Sequence, residues 1–391
     1  MTRRLGGNDV KLLVCGTQYF PALERCIEEA RTEIFLETYI FADDETGRRM
    51  ASALARAALR GVRVRVLVDG FGARDFEHTL QPGLEAAGVQ VLTFRPELAR
   101  INLSRRRLRR MHRKMAVIDA DTGFVGGINI IDDMDTPRQK PPRFDYAVSV
   151  RGPLVARIHA ECVKLWERVA WATLQFRPRL GRIFTHRIAP AGTVEASLLT
   201  RDNVRHRHDI ENAYLDAIAR ARQHIVIANA YFLPGRRFRQ ALIAAAGRGV
   251  TVTLVLQGRV EYALLHYASQ ALYGSLLSEG VRIFEYRRSF LHAKAAVIDG
   301  EWATVGSSNI DPFSLMLARE ANVVIHDHAF AATLEQSLLA AAQHGGRELR
   351  HRQWRSRPLH ERLLRWMAYG LIRFMIGLAG EKMSRHMLED R

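Results

Sequence analysis

The sequence predicts an α/β protein made of two similar halves, each an α/β sandwich. Three observations carry this. Helix-like and strand-like segments alternate along the chain. Three segments of the first half recur in the same order in the second. Each half then delivers one octet, HRKMAVID at 112–119 and HAKAAVID at 292–299.

Taken in chain order, the first repeat pairs EARTEIFLETYIF (29–41) with IARARQHIVIANAYF (218–232), a helix followed by a strand. The second pairs ALARAALRGVRVRVLVDG (53–70) with ALIAAAGRGVTVTLVLQG (241–258). Both read as an alanine-rich helix, a glycine C-cap at Gly61 or Gly249, and an alternating β-branched strand. The third pairs AGVQVLTF (87–94) with EGVRIFEY (279–286). One such match arises by chance easily; three in the same order indicate duplication. Prolines and glycines in PRLGRIFTHRIAPAGTVE (178–195) break the periodicity. The expected organisation is therefore a first domain over 1–185, a second over 186–345 and a basic tail over 346–391.

Composition sets the outer limits. A chain of 391 residues holds two cores on a prior of ~150 residues per domain. Its 48% hydrophobic and 25% charged residues are those of a globular protein rather than a disordered one. The net charge of +17 favours polyanions, whether nucleic acid or anionic membrane, and says nothing about fold. Arg105, Arg106, Arg107, Arg109, Arg110, Arg113 and Lys114 arrive with no acid among them, as a solvated basic loop would. Cys15, Cys26 and Cys162 are widely spaced and odd in number, which fits a reducing compartment better than a disulfide framework or zinc site. The N-terminal MTRRLGGNDVKLLVCG has no apolar core or cleavage site of a signal peptide, so a cytoplasmic protein is expected.

The repeated octet is where chemistry is expected. Asn129 and Asn309 each fall 17 residues after the histidine of their half, in GGIN and GSSN. Along a strand, side chains alternate faces, so His112 and Lys114 share one face, as do His292 and Lys294. Asp119 and Asp299 point to the other face and suit structural pairing better than chemistry. A histidine can attack phosphorus, and a lysine beside it can neutralise phosphate oxygens. A nucleophilic histidine needs a second one to protonate the leaving alcohol and deprotonate the incoming one. Two facing half-sites supply both, with two lysines, two asparagines and Ser307 to cradle the developing charge. No metal or other cofactor is called for. A single HxK on a strand is more often structural; its recurrence with a matched asparagine reverses that balance.

These paired motifs resemble those of the phospholipase D superfamily, and more closely those of bacterial cardiolipin synthases, the B type in particular. The likeness runs over nearly the whole chain, through LVDGFG (67–72), FVGGIN (124–129), DYAVSVRGP (145–153), IANAYFLPG (227–235), WATVGSSNIDPFSL (302–315) and EANVVIHD (320–327). It implies two phospholipase D-like domains, each a mixed sheet flanked by helices, related by a pseudo-twofold. It groups His112, Lys114, Asp119, His292, Lys294 and Asp299 as the catalytic set. His112 would be the covalent nucleophile and His292 the general acid and base. Asp145 and Glu320 match the acidic residues that orient a histidine. Gly127 departs from the pattern, standing where many relatives carry a serine such as Ser307.

Other features weigh less. His206, His208 and Asp209 fit a helix start better than a metal site. Tyr39, Phe41, Tyr231 and Phe232 serve equally well as site lining or core. From residue 345 onward, 11 Lys and Arg face 5 Asp and Glu. On a helical wheel Arg362, Arg365 and Arg373 cluster, with Trp366, Met367, Leu371, Ile372, Phe374, Met375 and Leu378 around the remainder. The stretch is a poor transmembrane helix and suits an interfacial one on an anionic membrane, or else a helix packed on the protein's own core. The resemblance thus implies phosphatidylglycerol and anionic lipids as partners, peripheral association with the cytoplasmic side of a bacterial inner membrane, and no nucleic acid. The competing readings are a phosphodiesterase acting on lipid or nucleic acid, and a non-catalytic binding descendant.

Overall fold

The computed structural model describes residues 4–96, 110–136, 139–174, 188–202, 206–311 and 318–389, with side chains through Met375. The first half contains β1 (Leu5–Val14), α1 (Cys15–Glu29), β2 (Glu33–Thr38), α2 (Glu45–Leu59), β3 (Arg63–Asp69), α3 (Phe76–Thr79), α4 (Gln81–Ala86) and β4 (Gln90–Phe94). It closes with β5 (Lys114–Ile118), β6 (Thr122–Gly126), β7 (Tyr146–Arg151) and α5 (Leu154–Ala172). The second repeats the plan with β8 (Val194–Arg201), α6 (Asp209–Arg220), β9 (His224–Asn229), α7 (Arg236–Gly247), β10 (Thr251–Gln257), α8 (Ala263–Leu277) and β11 (Arg282–Tyr286). It continues through β12 (Lys294–Ile298), β13 (Trp302–Gly306), β14 (Glu320–His326) and α9 (His328–Gly345), followed by β15 (Gly346–Leu349), α10 (His351–Arg355) and α11 (Leu359–Glu389).

Helix ends explain why the repeats looked alike. Gly61 and Gly249 lie at φ +92 and +88, just past α2 and α7. Their N–H groups donate to Ala58 and Ala246, and those of Val62 and Val250 donate to Ala57 and Ala245. That double bond is a Schellman cap, which needs the left-handed residue glycine supplies and turns the chain into the next strand.

The strands form one mixed sheet, β4-β3-β2-β5-β6-β7-β1 meeting β8-β14-β13-β12-β9-β10-β11-β15. In each half three strands run parallel, and the motif strand inserts antiparallel beside the first of them: β5 against β2, β12 against β9. The equivalent strands β1 and β8 pair antiparallel, the arrangement a twofold produces. Strands β6 and β7 also pack against β13 and β14.

Three apolar clusters hold these layers. Leu23, Leu54 and Val66 belong to the outer face of the first half, and Ile218, Leu242 and Leu254 to that of the second. The central cluster belongs to both, with Val117, Val148, Ile158 and Trp166 alongside Ala295, Val305, Leu334 and Leu338. Tyr146 and Ser337 are hydrogen-bonded at 2.8 Å across it. The halves therefore share a core, and neither buries its inner face alone.

Two expectations need correcting. Residues 346–349 do not begin a separate tail: they form β15, paired antiparallel with β11 of the second half. Arg365 does not belong to a solvent-facing polar stripe. It is buried with Ala368 and Ile372 where α11 packs on α8, and its Nε donates to Gln270 Oε1 at 2.9 Å. Glu361 partners its other end at 2.8 Å. The interdomain break expected over 178–195 falls mostly outside the described residues.

Candidate active site

Each motif histidine is placed by the other half of the molecule. His112 N–H donates to Arg319 O at 2.9 Å, and Arg319 N–H donates to Arg110 O at 2.7 Å. In the mirror arrangement His292 N–H donates to Phe144 O, and Phe144 N–H donates to Phe290 O, both at 2.8 Å. The residues leading into each motif thus run beside the residues leading to the acid of the opposite half. His112 Nδ1 lies 3.1 Å from both oxygens of Glu320. His292 Nδ1 lies 2.6 Å from Asp145 Oδ2. The two pairs are crossed.

The lysines sit beneath. Lys114 Nζ donates to His112 O at 2.7 Å. Lys294 Nζ donates to His292 O and stands 3.9 Å from Asp145 Oδ2. It is also 2.8 Å from His292 Nδ1. One ring nitrogen cannot both donate to a carboxylate and accept from an ammonium, so the Nδ1 hydrogen is assigned to Asp145. Each Nε2 is then left for substrate.

Burial tunes this cluster. It lowers the pKa of His112, and of His292 further still, where the charges of Lys294 and Lys114 add to the effect. Lys114 is lowered to about 7 and Lys294 to about 8, mainly by burial, with Lys294 adding to the effect on Lys114 and Arg143 to that on Lys294, against the pull of Asp145 and Glu320. Asp145 is raised by burial to about 6, although the lysines oppose the rise. Burial would also raise Glu320, but His112, Lys114 and the Ser307 hydroxyl outweigh it and hold Glu320 low. A neutral His112 thus donates Nδ1–H to an ionised carboxylate, which orients the ring and raises the basicity of Nε2. The lysines provide the positive field an incoming phosphate would meet.

The supporting residues divide. Ser307 donates its hydroxyl to Glu320 Oε2 at 2.5 Å and accepts from Ala321 N–H at 3.0 Å, so it braces the partner of His112 rather than facing substrate. Gly127 is its counterpart, and a Cβ there would collide with both carboxylate oxygens of Asp145. The glycine makes room for the acid; it does not leave the site a phosphate ligand short. Asn129 Oδ1 accepts from Ile40 N–H at 3.2 Å and Asn309 Oδ1 from Tyr231 N–H at 3.4 Å, fixing the chain after β2 and β9.

Grouping Asp119 and Asp299 with the reacting residues does not hold at the level of contact. They lie at the far ends of β5 and β12, both at φ +51 in the hairpin turns. Asp119 accepts from the N–H groups of Arg31, Thr32 and Glu33 at 2.8, 2.7 and 2.9 Å. Asp299 accepts from Arg222, Gln223 and His224 at 2.7, 2.8 and 3.0 Å. These bonds hold each helix-to-strand turn, as the strand alternation implied. The basic run before the first motif divides as well. Arg113 is buried in a bidentate pair with Glu37, Arg110 lies 3.5 Å from Asp69, and residues 105–109 fall outside the described residues.

Of the four aromatics left open, Tyr39 belongs to the site. Its ring stands edge-on to His112 at 4.9 Å, and Lys114 Nζ lies 5.3 Å from it. Phe41 packs on Phe76, and Phe232 on Phe238. Tyr231 reaches Glu261 through its hydroxyl. Around Glu261 lie Arg143 and Tyr262, which carried no motif signal. His206 pairs with Asp209 at 2.8 Å and His208 with Glu211 at 3.4 Å, at the start of α6.

Comparison with known proteins agrees with this geometry. The family model described as cardiolipin synthase, PLD-like domain, matches residues 23–134 and 214–341, once in each half. The chain is 40% identical over 342 residues to cardiolipin synthase B of Escherichia coli strain K12, covering 85% of this chain and 80% of that one. It is 31% identical over 366 residues to the major cardiolipin synthase of Bacillus subtilis strain 168, covering 91% and 73%. Among solved structures, the phosphatidylserine synthase of Haemophilus influenzae Rd KW20 superposes with a TM-score of 0.69 at 14% identity, over 93% of this chain and 94% of that one. That likeness is one of fold.

Proposed function

The chain belongs to the phospholipase D-like cardiolipin synthase family, and we propose that it moves a phosphatidyl group from one phosphatidylglycerol to another through a phosphohistidine on His112. The observation that carries this reading is the crossed pairing of His112 with Glu320 and His292 with Asp145 in one buried, lysine-lined site.

In the first step Nε2 of His112 attacks the donor phosphorus. The bond from phosphorus to the glycerol oxygen breaks, and protonated His292 gives that oxygen its proton. Burial and the lysine charges keep His292 neutral in the free enzyme; the phosphodiester anion offsets the lysine part, so substrate favours the protonated form. In the second step His292 takes the proton from the hydroxyl of an incoming phosphatidylglycerol. That oxygen attacks phosphorus, the P–N bond breaks, and His112 is restored. One phosphodiester is exchanged for another, so no external energy source is required.

His112 is assigned as the nucleophile because the family resemblance places the covalent histidine in the first half; its partner Glu320, held low in pKa by His112, Lys114 and Ser307, fixes its ring. Lys114 and Lys294 stabilise the phosphoryl oxygens, and Tyr39 confines the His112 ring.

The lipid substrate is reached at a membrane surface. On α11, Leu363, Leu364, Trp366, Met367, Leu371, Phe374 and Met375 are exposed while the opposite face packs on α8. Leu264, in the first turn of α8, and Tyr262 just before it are exposed as well. No helix among the described residues is long and apolar enough to cross a membrane. This supports a peripheral, interfacial mode of binding, with α11 and the basic surface on anionic lipid. Free thiols at Cys15, Cys26 and Cys162 suit the cytoplasmic side. Residues 1–185 and 186–345 are read as the two catalytic domains, with the lipid-binding tail following β15.

The test is mass spectrometry of lipids formed by purified protein in phosphatidylglycerol vesicles. Cardiolipin with equimolar glycerol is expected. Phosphatidate alone would show that water is the acceptor and overturn the transfer reading.

A further inference from the structure

Transfer between two phosphatidylglycerol molecules makes a demand that the histidines and lysines do not meet. The acceptor carries its own phosphodiester, three carbons from the hydroxyl that attacks. Two phosphate anions therefore approach the site in the second step. Lys114 and Lys294 lie against the histidines and serve the phosphorus being transferred. A further cation is needed where alcohols leave and enter, beside His292.

Arg143 stands there. It lies two residues before Asp145, the partner of His292, and its charge bears on His292, Lys294 and Asp145 alike. Its guanidinium stacks on Phe290 at 4.9 Å, which fixes the plane of the fork. Its Nε is buried without a hydrogen-bond partner. Its contact with Glu261 is an ion pair at 3.9 Å, too long for a hydrogen bond. Glu261 is itself engaged by the Tyr231 hydroxyl. The arginine is thus held in position by packing while part of its donor capacity remains unused.

The two halves differ at this point. Asp145 corresponds to Glu320 through matching strand registers, so the counterpart of Arg143 is Ala318. Tyr39 likewise corresponds to Ala230, so the aromatic ring that stands against His112 has no equivalent beside His292. Arg143 thus stands on the side that must admit the second lipid, with no arginine at the equivalent position of the other half.

We propose that Arg143 binds the phosphodiester of the acceptor lipid and so selects a phosphatidyl alcohol over water or free glycerol. The acceptor phosphate replaces Glu261 as counter-ion, and the planar fork engages it through paired N–H donors. Glu261 keeps the arginine extended until the lipid arrives. This assignment rests on the transfer reading above and makes Arg143 a specificity-determining residue.

The experiment compares wild type, Arg143→Gln and Arg143→Lys on phosphatidylglycerol vesicles, measuring glycerol, cardiolipin and phosphatidate together. Loss of a charged hydrogen-bonding partner should lower the cardiolipin-to-phosphatidate ratio of Arg143→Gln at least ~10-fold. Glycerol release, which reports the donor step, should fall less than cardiolipin formation. Arg143→Lys, keeping charge but losing the fork, should fall between. If Arg143→Gln is folded by circular dichroism and its ratio is unchanged, the proposal is overturned. A parallel fall of glycerol and cardiolipin with a shifted pH profile also overturns it, since Arg143 would then act only through the proton affinity of His292. Failure of wild type to make any cardiolipin would instead remove the transfer reading, and this assignment with it.

Discussion

Glu320 of the second half lies 3.1 Å from His112 Nδ1 of the first. The carboxylate is fully buried, accepts the Ser307 hydroxyl at 2.5 Å and is held low in pKa, so it stays ionised beside a neutral imidazole. Each histidine therefore depends on the other half for its tautomer, and duplication has produced one site rather than two.

The first prediction follows from that dependence. Glu320→Gln keeps the size but removes the charge that fixes the Nδ1–H tautomer of His112. Turnover should fall by ~10²–10⁴-fold, the range of a positioned acid–base group. Ser307→Ala leaves Glu320 in place and should cost far less. Steady-state assay of both variants checks the order, and equal losses would show that Ser307 touches substrate.

The histidines should separate by intermediate. With His292→Ala the leaving alcohol and the acceptor both lose their proton carrier, so any phosphatidyl-enzyme that forms is slow to discharge. With His112→Ala no adduct can form. Protein incubated with phosphatidylglycerol labelled in its phosphatidyl group and quenched in neutral detergent, which spares an acid-labile P–N bond, reads this directly. Label retained in His112→Ala but lost in His292→Ala would reverse the two roles.

How much of this was legible in the sequence depends on where the information lies. The duplication was readable because Gly61 and Gly249 occupy the same left-handed cap position, and left-handed caps select glycine. The strand alternation correctly set Asp119 and Asp299 apart from His112 and His292. The crossing of the acids was not readable, since a spacing says which residues are equivalent but not which half they reach. Gly127 read only as a departure from the pattern because its reason, the Asp145 carboxylate, is adjacent only in space. Arg365 misled the helical wheel, which treats every arginine as solvated and cannot see Gln270 of α8 waiting to partner it. Arg143 gave no signal, having no counterpart in the other motif.

Asp119 and Asp299 should govern stability rather than chemistry. Each has a lowered pKa because backbone N–H groups bond the ionised form. A depressed carboxylate contributes stability above its unfolded pKa, near ~3.9, and loses it as pH falls through the lower folded value. Asp119→Asn should therefore cost ~1 kcal/mol at neutral pH after solvent screening, and little in acid, with kcat nearly unchanged. Urea unfolding at pH 7 and pH 3 tests this. A large fall in kcat with unchanged stability would put Asp119 back in the chemistry.

The two lysines predict the alkaline limb of activity. Lys114 is lowered to about 7 and Lys294 to about 8, so each is charged below its value and loses charge as pH rises through it. In the free enzyme, phosphate neutralisation should weaken from about 7 upward, and kcat/KM should fall there. A bound phosphodiester favours the charged lysines, so the limb in kcat should lie at higher pH than the limb in kcat/KM. Coincident limbs would mean that the lysines do not contact the phosphate.

The outer face of α11 should hold the protein to lipid. Trp366, Leu371 and Phe374 are 53%, 49% and 64% exposed on the side turned away from α8. Burying such side chains contributes ~1.5–3 kcal/mol each when complete, and basic residues near an anionic surface add ~1 kcal/mol each. Replacing all three by serine should weaken co-sedimentation with phosphatidylglycerol vesicles by ~10²-fold or more. The fold should survive, because Ala368 and Ile372 still pack on α8. Salt should loosen the wild type only in part, since screening acts on the charges over ~8 Å and not on the apolar contact. Cutting the chain at Gly346 is a poorer test, because it also strips β15 from the sheet edge. Arg365→Ala supplies the contrast: it touches no lipid, but it removes the cation between Glu361 and Gln270 and should undock the helix. If the triple-serine protein sediments as well as wild type, α11 does not bind the membrane through this face, and the basic residues must do so.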